Sequence, residues 1–153
     1  MLTKTTELAI QTLIHLVICE GGQPRSPRSI ADELDLSPTY LAKVANQLVK
    51  GGILRAHRGA LGGMTLARPA SEVTLLEIVE ACQGRVVGNY CEASMESIDG
   101  ACAFHRAMLE MHQAMIEILS RWTLADLAAR PPAGHRRSQF CRLGNVCPLG
   151  DDQ

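Results

Sequence analysis

Two cysteines and a histidine are the residues whose types and spacing best suit metal or redox chemistry. Cys102 and His105 stand three residues apart where a long helix begins, and Cys91 precedes them in a stretch without periodicity. Residues three apart share a helix face, and the ten residues between Cys91 and Cys102 can fold the first thiol back to the same point. Two thiolates and one imidazole are ligands of the kind that hold zinc or iron–sulfur centres. The alternative is that they are ordinary side chains near a helix start.

The sequence indicates a cytoplasmic protein, in which cysteines serve metal or redox chemistry more often than they form disulfides. No segment approaches the ~20 apolar residues that span a membrane, and residues 1–7 lack the build of a signal peptide. We therefore expect a cytoplasmic protein, in which the six cysteines stay reduced rather than forming a disulfide framework. Cys19 and Cys82 end apolar helices and are expected to be small buried core residues.

The segment from Ser37 to Lys50 has the features of a DNA-recognition helix. Ser37 can cap free helix amides, and Pro38 suits the first helical position. An apolar face is predicted to meet the core, while the polar positions point away from it. The apolar positions are Leu41, Val44, Ala45 and Leu48, and the polar ones are Thr39, Tyr40, Lys43, Gln47 and Lys50.

The residues that follow predict a two-stranded wing. Ile53-Leu54 and Met64-Thr65-Leu66 have strand character, and the loop 55–63 between them is basic at its start and glycine-rich at its end. Such a loop can bring its backbone close to phosphates. Helices predicted over 6–19 and from Ser26-Pro27 precede the recognition helix. This order predicts a mainly α fold, a winged helix-turn-helix with a two-stranded β-wing, that reads DNA.

The second half of the chain is expected to sense and to dimerise. Residues up to Pro69 include 8 basic and 5 acidic side chains, and the later residues include 7 and 11, so positive charge is concentrated in the predicted DNA-binding half. A helix is predicted over Thr74–Cys82, then a loop over 85–101, then a long helix from about Ala103. Its stripe of Phe104, Met108, Met111, Met115, Ile118 and Leu119 favours a dimer interface over packing within one subunit. The predicted division is a DNA-binding domain over 1–70, a sensor loop and dimerisation helices over 71–130, and a flexible tail over 131–153.

These segments together resemble the Rrf family of dimeric winged-helix repressors typified by IscR, NsrR and RsrR. The resemblance runs from Leu2 to about Leu127. It rests on Leu2-Thr3-x-x-x-Glu7-Leu8-Ala9, Ser37-Pro38-Thr39-Tyr40-Leu41-Ala42-Lys43, Arg58-Gly59-x-x-Gly62-Gly63-x-x-Leu66-Ala67-Arg68-Pro69-Ala70, Glu72-Val73-Thr74-Leu75-Leu76-Glu77-Ile78-Val79 and Trp122-Thr123-Leu124-Ala125-Asp126-Leu127.

The resemblance implies which residues contact DNA. Gln47 would pair with adenine edges in the major groove, and Arg58 would enter a narrow minor groove beside the wing. The whole DNA-binding set so implied is Ser37, Thr39, Tyr40, Lys43, Gln47, Arg58, Gly59, Gly62 and Gly63.

The resemblance also implies an iron–sulfur cluster, with one departure from the family pattern. Cys91, Cys102 and His105 match family ligands, but the middle cysteine is missing, and Ser94 and Ser97 stand where it would fall. Glu7 lies where related proteins place an acidic ligand from the partner subunit. RsrR-like members hold a 2Fe-2S cluster with two cysteines, Glu and His, so 2Fe-2S is favoured and 4Fe-4S stays possible. A thiol from Cys141 or Cys147 in the tail is the other route, and Glu7 has the alternative of a solvated first-turn carboxylate.

The function expected from these features is a homodimeric regulator, acting as a repressor on double-stranded operator DNA. Its affinity would be set by a cluster responding to redox state, nitric oxide or iron–sulfur supply. The alternative is a cluster-free regulator of the same fold that uses Cys91 and Cys102 as a thiol switch or a structural zinc site. An enzyme is not expected, because the sequence offers no substrate pocket motif and no orienting acid for the Cys/His pair.

Overall fold

Three helices lie in the described part of the N-terminal half, and each begins at a capping side chain. The structure, a computed structural model, describes residues 2–19, 24–59, 62–86 and 102–131. Helix α1 spans Lys4–Ile18, α2 spans Pro27–Leu34 and α3 spans Pro38–Lys50. The hydroxyls of Thr3, Ser26 and Ser37 accept hydrogen bonds from backbone amides three residues onward, which satisfies donors that a helix start leaves free.

A two-stranded antiparallel wing follows α3. Strand β1 (Leu54–His57) pairs with β2 (Gly63–Leu66), and Leu54 lies opposite Leu66. The wing itself is confirmed, but β1 starts one residue later than predicted and continues through residues assigned to the loop. Its burial explains the difference, because only Leu54 is buried and the next three residues are exposed, so no alternating pattern marks the strand. The backbone of Arg25 pairs with Met64 through two hydrogen bonds, of 3.1 and 2.8 Å, and holds the wing to the start of α2.

Three further helices lie in the described part of the C-terminal half. Helix α4 spans Leu75–Gln83, α5 spans Ala103–Arg121 and α6 spans Leu124–Ala129, after a short 3₁₀ turn at Ala70–Glu72. Helices α4 and α6 both start with a capping box, in which Thr74 is paired with Glu77 and Thr123 with Asp126. These two starts lie side by side, because the backbone of Leu75 donates to Trp122 and that of Leu124 donates to Val73, each at 2.8 Å.

A single apolar core joins the two halves around α1. Helix α1 packs on α3, α4 and α6. The core cluster runs continuously across residue 70, and the proposed boundary there stays a prediction. Its largest fully buried apolar side chains are Leu13, Ile14, Leu16, Ile30, Leu41, Leu48, Ile53, Ile78, Leu124, Val44 and Val73.

An ionisable network that includes a buried histidine adjoins this core. The imidazole of His15 is fully buried, and its Nε2 lies 2.8 Å from Oε2 of Glu33. Arg25 forms an ion pair with the same carboxylate, and Ser29 donates to it at 3.0 Å. Since Arg25 also carries the backbone pairing with β2, the network joins α1, α2 and the base of the wing.

Helix α5 exposes much of its apolar surface. It packs on α4, yet His112 is its one buried residue. Phe104 is 59% exposed, and Leu109, Met111 and Ile118 are also exposed. Among the described helices, none is long and apolar enough to cross a membrane.

Candidate DNA interface and sensor site

The outer face of α3 is polar and open to solvent. Thr39, Lys43 and Lys50 are exposed, as expected for side chains that meet DNA. Asn46, which lies outside the predicted DNA-binding set, is exposed on the same face because it lies three residues after Lys43 and four before Lys50. Ser37 accepts the amide of Tyr40 at 3.5 Å and so serves as the cap of this helix.

Two residues predicted to point away from the core are turned inward. The hydroxyl of Tyr40 lies 2.7 Å from Oγ1 of Thr5 on α1. Gln47 donates from Nε2 to the backbone carbonyl of Cys82 on α4, at 3.4 Å. The predicted orientation of these two side chains is therefore wrong, because α1 and α4 cover both edges of α3. A helical wheel of α3 alone does not contain that information.

The wing presents basic groups beyond the core. Arg55, His57 and Arg58 are exposed, and the imidazole of His57 lies 2.9 Å from Oγ1 of Thr65 across the strands. Gly59 has φ of +106°, which favours glycine. The tip residues 60 and 61 lie outside the described residues.

Two wing glycines are needed by the fold itself. A Cβ at Gly63 would lie 2.6 Å from the backbone of Arg25, and one at Gly62 would lie 2.7 Å from the carbonyl oxygens of His57 and Gly59. Close backbone packing within the protein thus accounts for both glycines without the predicted approach to phosphates. Their contact with DNA stays a prediction.

The described part of the predicted metal site is the start of α5. Cys102 is the N-terminal cap residue, its side chain is exposed and free, and it makes no capping hydrogen bond. His105 lies one turn further and is partly exposed. Cys91, Ser94, Ser97, Cys141 and Cys147 lie outside the described residues. Within the described ranges, no group of three or more His, Cys, Asp or Glu side chains is assembled to hold a metal ion.

Glu7 and the two helical cysteines have clear surroundings. Glu7 is exposed in the first turn of α1, and its carboxylate lies 3.4 Å from Nζ of Lys4. Cys82 is buried as expected, and burial raises the pKa of its thiol from the ordinary value of 9.0, which makes it a poor nucleophile. Cys19 is partly exposed rather than buried, with Sγ 3.9 Å from Nδ1 of His15. On donor chemistry, Cys102, His105 and Glu7 suit an iron–sulfur cluster in part, since they supply one thiolate, one imidazole and one carboxylate.

A groove of about 520 Å³ lies where the start of α1, the end of α4 and α5 meet. Leu2, Val79, Met111 and Ile118 give it apolar walls. Arg85 and Val86 at its rim lead into the segment that contains Cys91. The end of α4 that lines the groove therefore leads, along the chain, into the predicted sensor segment.

A salt bridge holds the exit of the wing to α4. Nη2 of Arg68 lies 2.6 Å from Oε1 of Glu77, and Nη1 donates to the carbonyl of Glu72 at 2.9 Å. Burial alone would raise the pKa of the Glu77 carboxyl, but hydrogen bonds from Thr74 and Arg68 outweigh it and hold the pKa below the ordinary value of 4.5. The carboxylate form therefore stabilises this junction.

Comparison with known proteins agrees with this arrangement. The chain is 32% identical over 132 residues to the HTH-type transcriptional repressor NsrR of Streptomyces coelicolor. This match covers 85% of this chain and 89% of NsrR. The structure of CymR, the global cysteine regulator of B. subtilis, superposes with a TM-score of 0.71 at 25% identity, over 86% of this chain and 98% of that one. The oxidised form of Staphylococcus aureus CymR superposes with a TM-score of 0.65 at 28% identity, over 87% and 99%.

These relatives are regulators of transcription rather than enzymes, and the mainly helical winged-helix fold is confirmed. The family model for Rrf2, described as an iron-dependent transcriptional regulator, matches residues 2–130. Winged-helix regulators of this kind bind DNA and are dimeric. The chain therefore belongs to the Rrf2 family of transcriptional regulators.

Proposed function

We propose that this chain is a homodimeric repressor that binds double-stranded operator DNA through α3 and the wing. The observation that carries the proposal is the exposed polar face of α3, formed by Thr39, Lys43, Asn46 and Lys50, next to a wing with exposed arginines. Thr39, Lys43 and Asn46 would contact base edges and phosphates in the major groove. Arg58 would enter the minor groove. We leave Gln47 out of this proposed set, because its amide donates to the carbonyl of Cys82 on α4.

The DNA contact is tested at the wing. Arg58→Ala should weaken operator binding and reduce the slope of log Kd against log salt by about one, because one cation no longer displaces a counterion. Arg130→Ala is the matched control, since Arg130 is also exposed but follows α6. Operator binding by Arg58→Ala equal to that of the control at every salt concentration would contradict the proposed role of the wing.

The proposed dimer uses α5. Its exposed apolar side chains include Phe104, Leu109, Met111 and Ile118, an unusual cost for a helix surrounded by water. Pairing of two chains along α5 would bury them and set the spacing of two recognition helices on two half-sites. Ile118→Glu should convert the dimer to monomer in light scattering, while Glu117→Ala should not. A dimer unchanged by Ile118→Glu would exclude α5 as the interface.

The proposed sensor is an iron–sulfur cluster, with 2Fe-2S favoured. Cys91, Cys102 and His105 would hold it, and Glu7 of the partner subunit would complete the set in place of the missing middle cysteine. A bound cluster would supply reversible one-electron chemistry and a site of attack for nitric oxide. Two features support this assignment. The thiol of Cys102 is exposed and makes no helix-capping hydrogen bond, and the imidazole of His105 lies one turn away. Imidazole ligation in place of thiolate raises a cluster's potential.

The cluster is tested by iron and acid-labile sulfide per chain after anaerobic purification. About two iron with matching sulfide identifies 2Fe-2S. Glu7→Ala should lose most of both, whereas Glu117→Ala, an exposed carboxylate on α5, should keep them. Full iron content in Glu7→Ala would remove Glu7 from the ligand set.

A cluster-free thiol switch or structural zinc site is the second candidate, favoured by the exposure of the free Cys102 thiol. Here the purified protein would contain no iron. A thiol switch would change operator affinity when Cys91 and Cys102 are oxidised by peroxide, and Cys102→Ser would abolish the change. A structural zinc site would instead give stoichiometric zinc and loss of folding on chelation.

A further inference from the structure

Gln47 makes a contact that neither packing nor DNA reading explains. Its Nε2 donates to the carbonyl oxygen of Cys82 across the interface between α3 and α4, at 3.4 Å. Its Oε1 is buried and has no hydrogen-bond partner among the described residues. A flipped amide would set two acceptors against each other, so the orientation is fixed by the Cys82 carbonyl.

The Gln47 side chain is partly exposed, but its Oε1 is buried without a hydrogen-bond partner among the described residues. Leaving a buried acceptor without a partner costs free energy that an apolar side chain of similar length would not cost. Methionine would occupy the same volume with no polar atom to satisfy. A glutamine at this position therefore points to a role for the hydrogen bond itself.

The partner carbonyl lies at the end of α4 from which the sensor segment departs. Helix α4 ends at Gly84, whose φ is +84°, and Arg85 and Val86 then lead into the segment that contains Cys91. The same last turn is also held to α1, because Oε1 of Gln83 accepts hydrogen bonds from the backbone of Thr3 and from the hydroxyl of Thr6, both at 3.2 Å.

The contact between α3 and α4 is also close enough to transmit a displacement. A Cβ at Gly51, the residue that ends α3, would lie 2.8 Å from Cβ of Ala81. The last turn of α4 therefore touches the end of α3 through backbone and small side chains, with no flexible side chain between them. Because closely packed groups are hard to compress, a displacement of α4 is transmitted to α3.

We propose that Gln47 is a positioning residue that couples the last turn of α4 to the recognition helix. A shift of that turn, caused by a change in the segment after Val86, pulls on the Gln47 amide and tilts α3 against the DNA. The inference rests on the proposed reading of DNA by α3. It does not depend on whether a cluster, zinc or a thiol pair occupies the sensor segment.

The test perturbs the end of α4 directly and needs no cofactor. Gly84→Ala strains the backbone at φ of +84° without a steric clash, because nothing lies within 4 Å of the added Cβ. Operator Kd is measured for Gly84→Ala in three backgrounds: wild type, Gln47→Met and Gln113→Met. Gln113 is an exposed glutamine on α5 and serves as the matched control.

We expect Gly84→Ala to weaken operator binding about five-fold or more in the wild-type and Gln113→Met backgrounds, as for a typical coupling between sites. In the Gln47→Met background the same change should have less than about a two-fold effect, the usual error of additivity. Thermal stability of Gln47→Met should equal or exceed that of wild type, because the unsatisfied oxygen is gone. As a second measurement, hydrogen exchange of the α3 amides should rise in Gly84→Ala and return to its reference level when Gln47→Met is added.

Two results would overturn the coupling role. One is a loss of affinity on Gly84→Ala that is the same in all three backgrounds, and the other is no loss in the wild-type background. Failure of the proposed function is distinct, because the wild-type protein itself would then bind no operator. If Gln47→Met does not fold, Gln47→Glu replaces it in the same cycle, since a carboxylate keeps the size but cannot donate to the carbonyl of Cys82.

Discussion

A methyl group added at Gly51, at the end of α3, or removed from Ala81 on α4 should show how tightly these two helices are packed. Gly51 has φ of −76°, so alanine is compatible with its backbone, but its Cβ would lie 2.8 Å from Cβ of Ala81. Carbon atoms normally approach to about 3.5–4.0 Å, so the helices must separate by roughly 1 Å. Overpacking of this kind costs about 1–3 kcal/mol of unfolding free energy. Alanine also lowers the conformational entropy of the unfolded chain, which offsets about 0.4–1 kcal/mol of this cost.

The compensating variant removes the opposing methyl group. Ala81→Gly alone should cost about 1 kcal/mol, because glycine disfavours a helix interior. In the double variant Gly51→Ala/Ala81→Gly the clash is absent, so the helix penalty and the entropic gain nearly cancel. We expect its stability to lie within about 1 kcal/mol of wild type, whereas simple addition of the two single effects would predict a larger loss.

Urea unfolding followed by circular dichroism measures this cycle. All four proteins must be compared at one chain concentration, because the stability of a dimer depends on it. The midpoint should fall for each single variant and recover in the double variant at an unchanged m-value. If the losses of the single variants simply add in the double variant, the close contact of Gly51 with Ala81 does not exist in solution.

Three other perturbations examine acid stability, thiol reactivity and the base of the wing. The folded-state pKa of Glu77 is held below 4.5, so its stabilising effect is complete above that value and is lost as pH falls through the lower folded pKa. The melting temperature of Glu77→Gln should therefore lie below that of wild type at pH 7 and converge with it in acid; parallel curves would refute this. In timed alkylation read by mass spectrometry, Cys102 should react well before Cys82, because Cys82 is buried and burial raises the pKa of its thiol; equal rates would show that the end of α4 is open. Gly63→Ala should cost about 1–3 kcal/mol by urea unfolding and weaken operator binding in a gel-shift assay, because its Cβ would strike the backbone of Arg25; wild-type behaviour in both assays would contradict the pairing at the wing base.

The sequence was sufficient to predict the helices because their ends are marked by local chemistry. A capping hydroxyl followed by proline marks the starts of α2 and α3, and Thr74, the first residue of the helix predicted over Thr74–Cys82, caps α4. These signals depend on residues within one turn of each other, so no tertiary information is needed. Strand β1 lacks such a signal, since its last three residues are all exposed. Its extent was therefore misjudged.

The site was less predictable because its orientation depends on contacts between distant segments. Gln47 and Tyr40 occupy the borders of the polar face of α3, and only the positions of α4 and α1 decide that both turn inward. Asn46 was missed although its spacing from Lys43 and Lys50 places it on the outer face. The network of His15, Glu33 and Arg25 likewise joins residues from three elements. Nothing in their local sequence marks them as partners.

The length of α5 relates a small rotation at its C-terminal end to a larger displacement at its start. The backbone of Leu75 donates to the carbonyl of Trp122 at its C-terminal end, and α5 also packs on α4, whereas Cys102 before its first turn is exposed. Nineteen residues of helix reach about 28 Å from one end to the other. A rotation of about 5° at the Trp122 end therefore sweeps the Cys102 end through roughly 2.5 Å, by the geometry of a rigid rod of that length. Conversely, a displacement of about one bond length at Cys102 corresponds to a rotation of only a few degrees at the Trp122 end. If the proposed sensor acts at Cys102, its movement would therefore turn the junction where α4 and α6 begin.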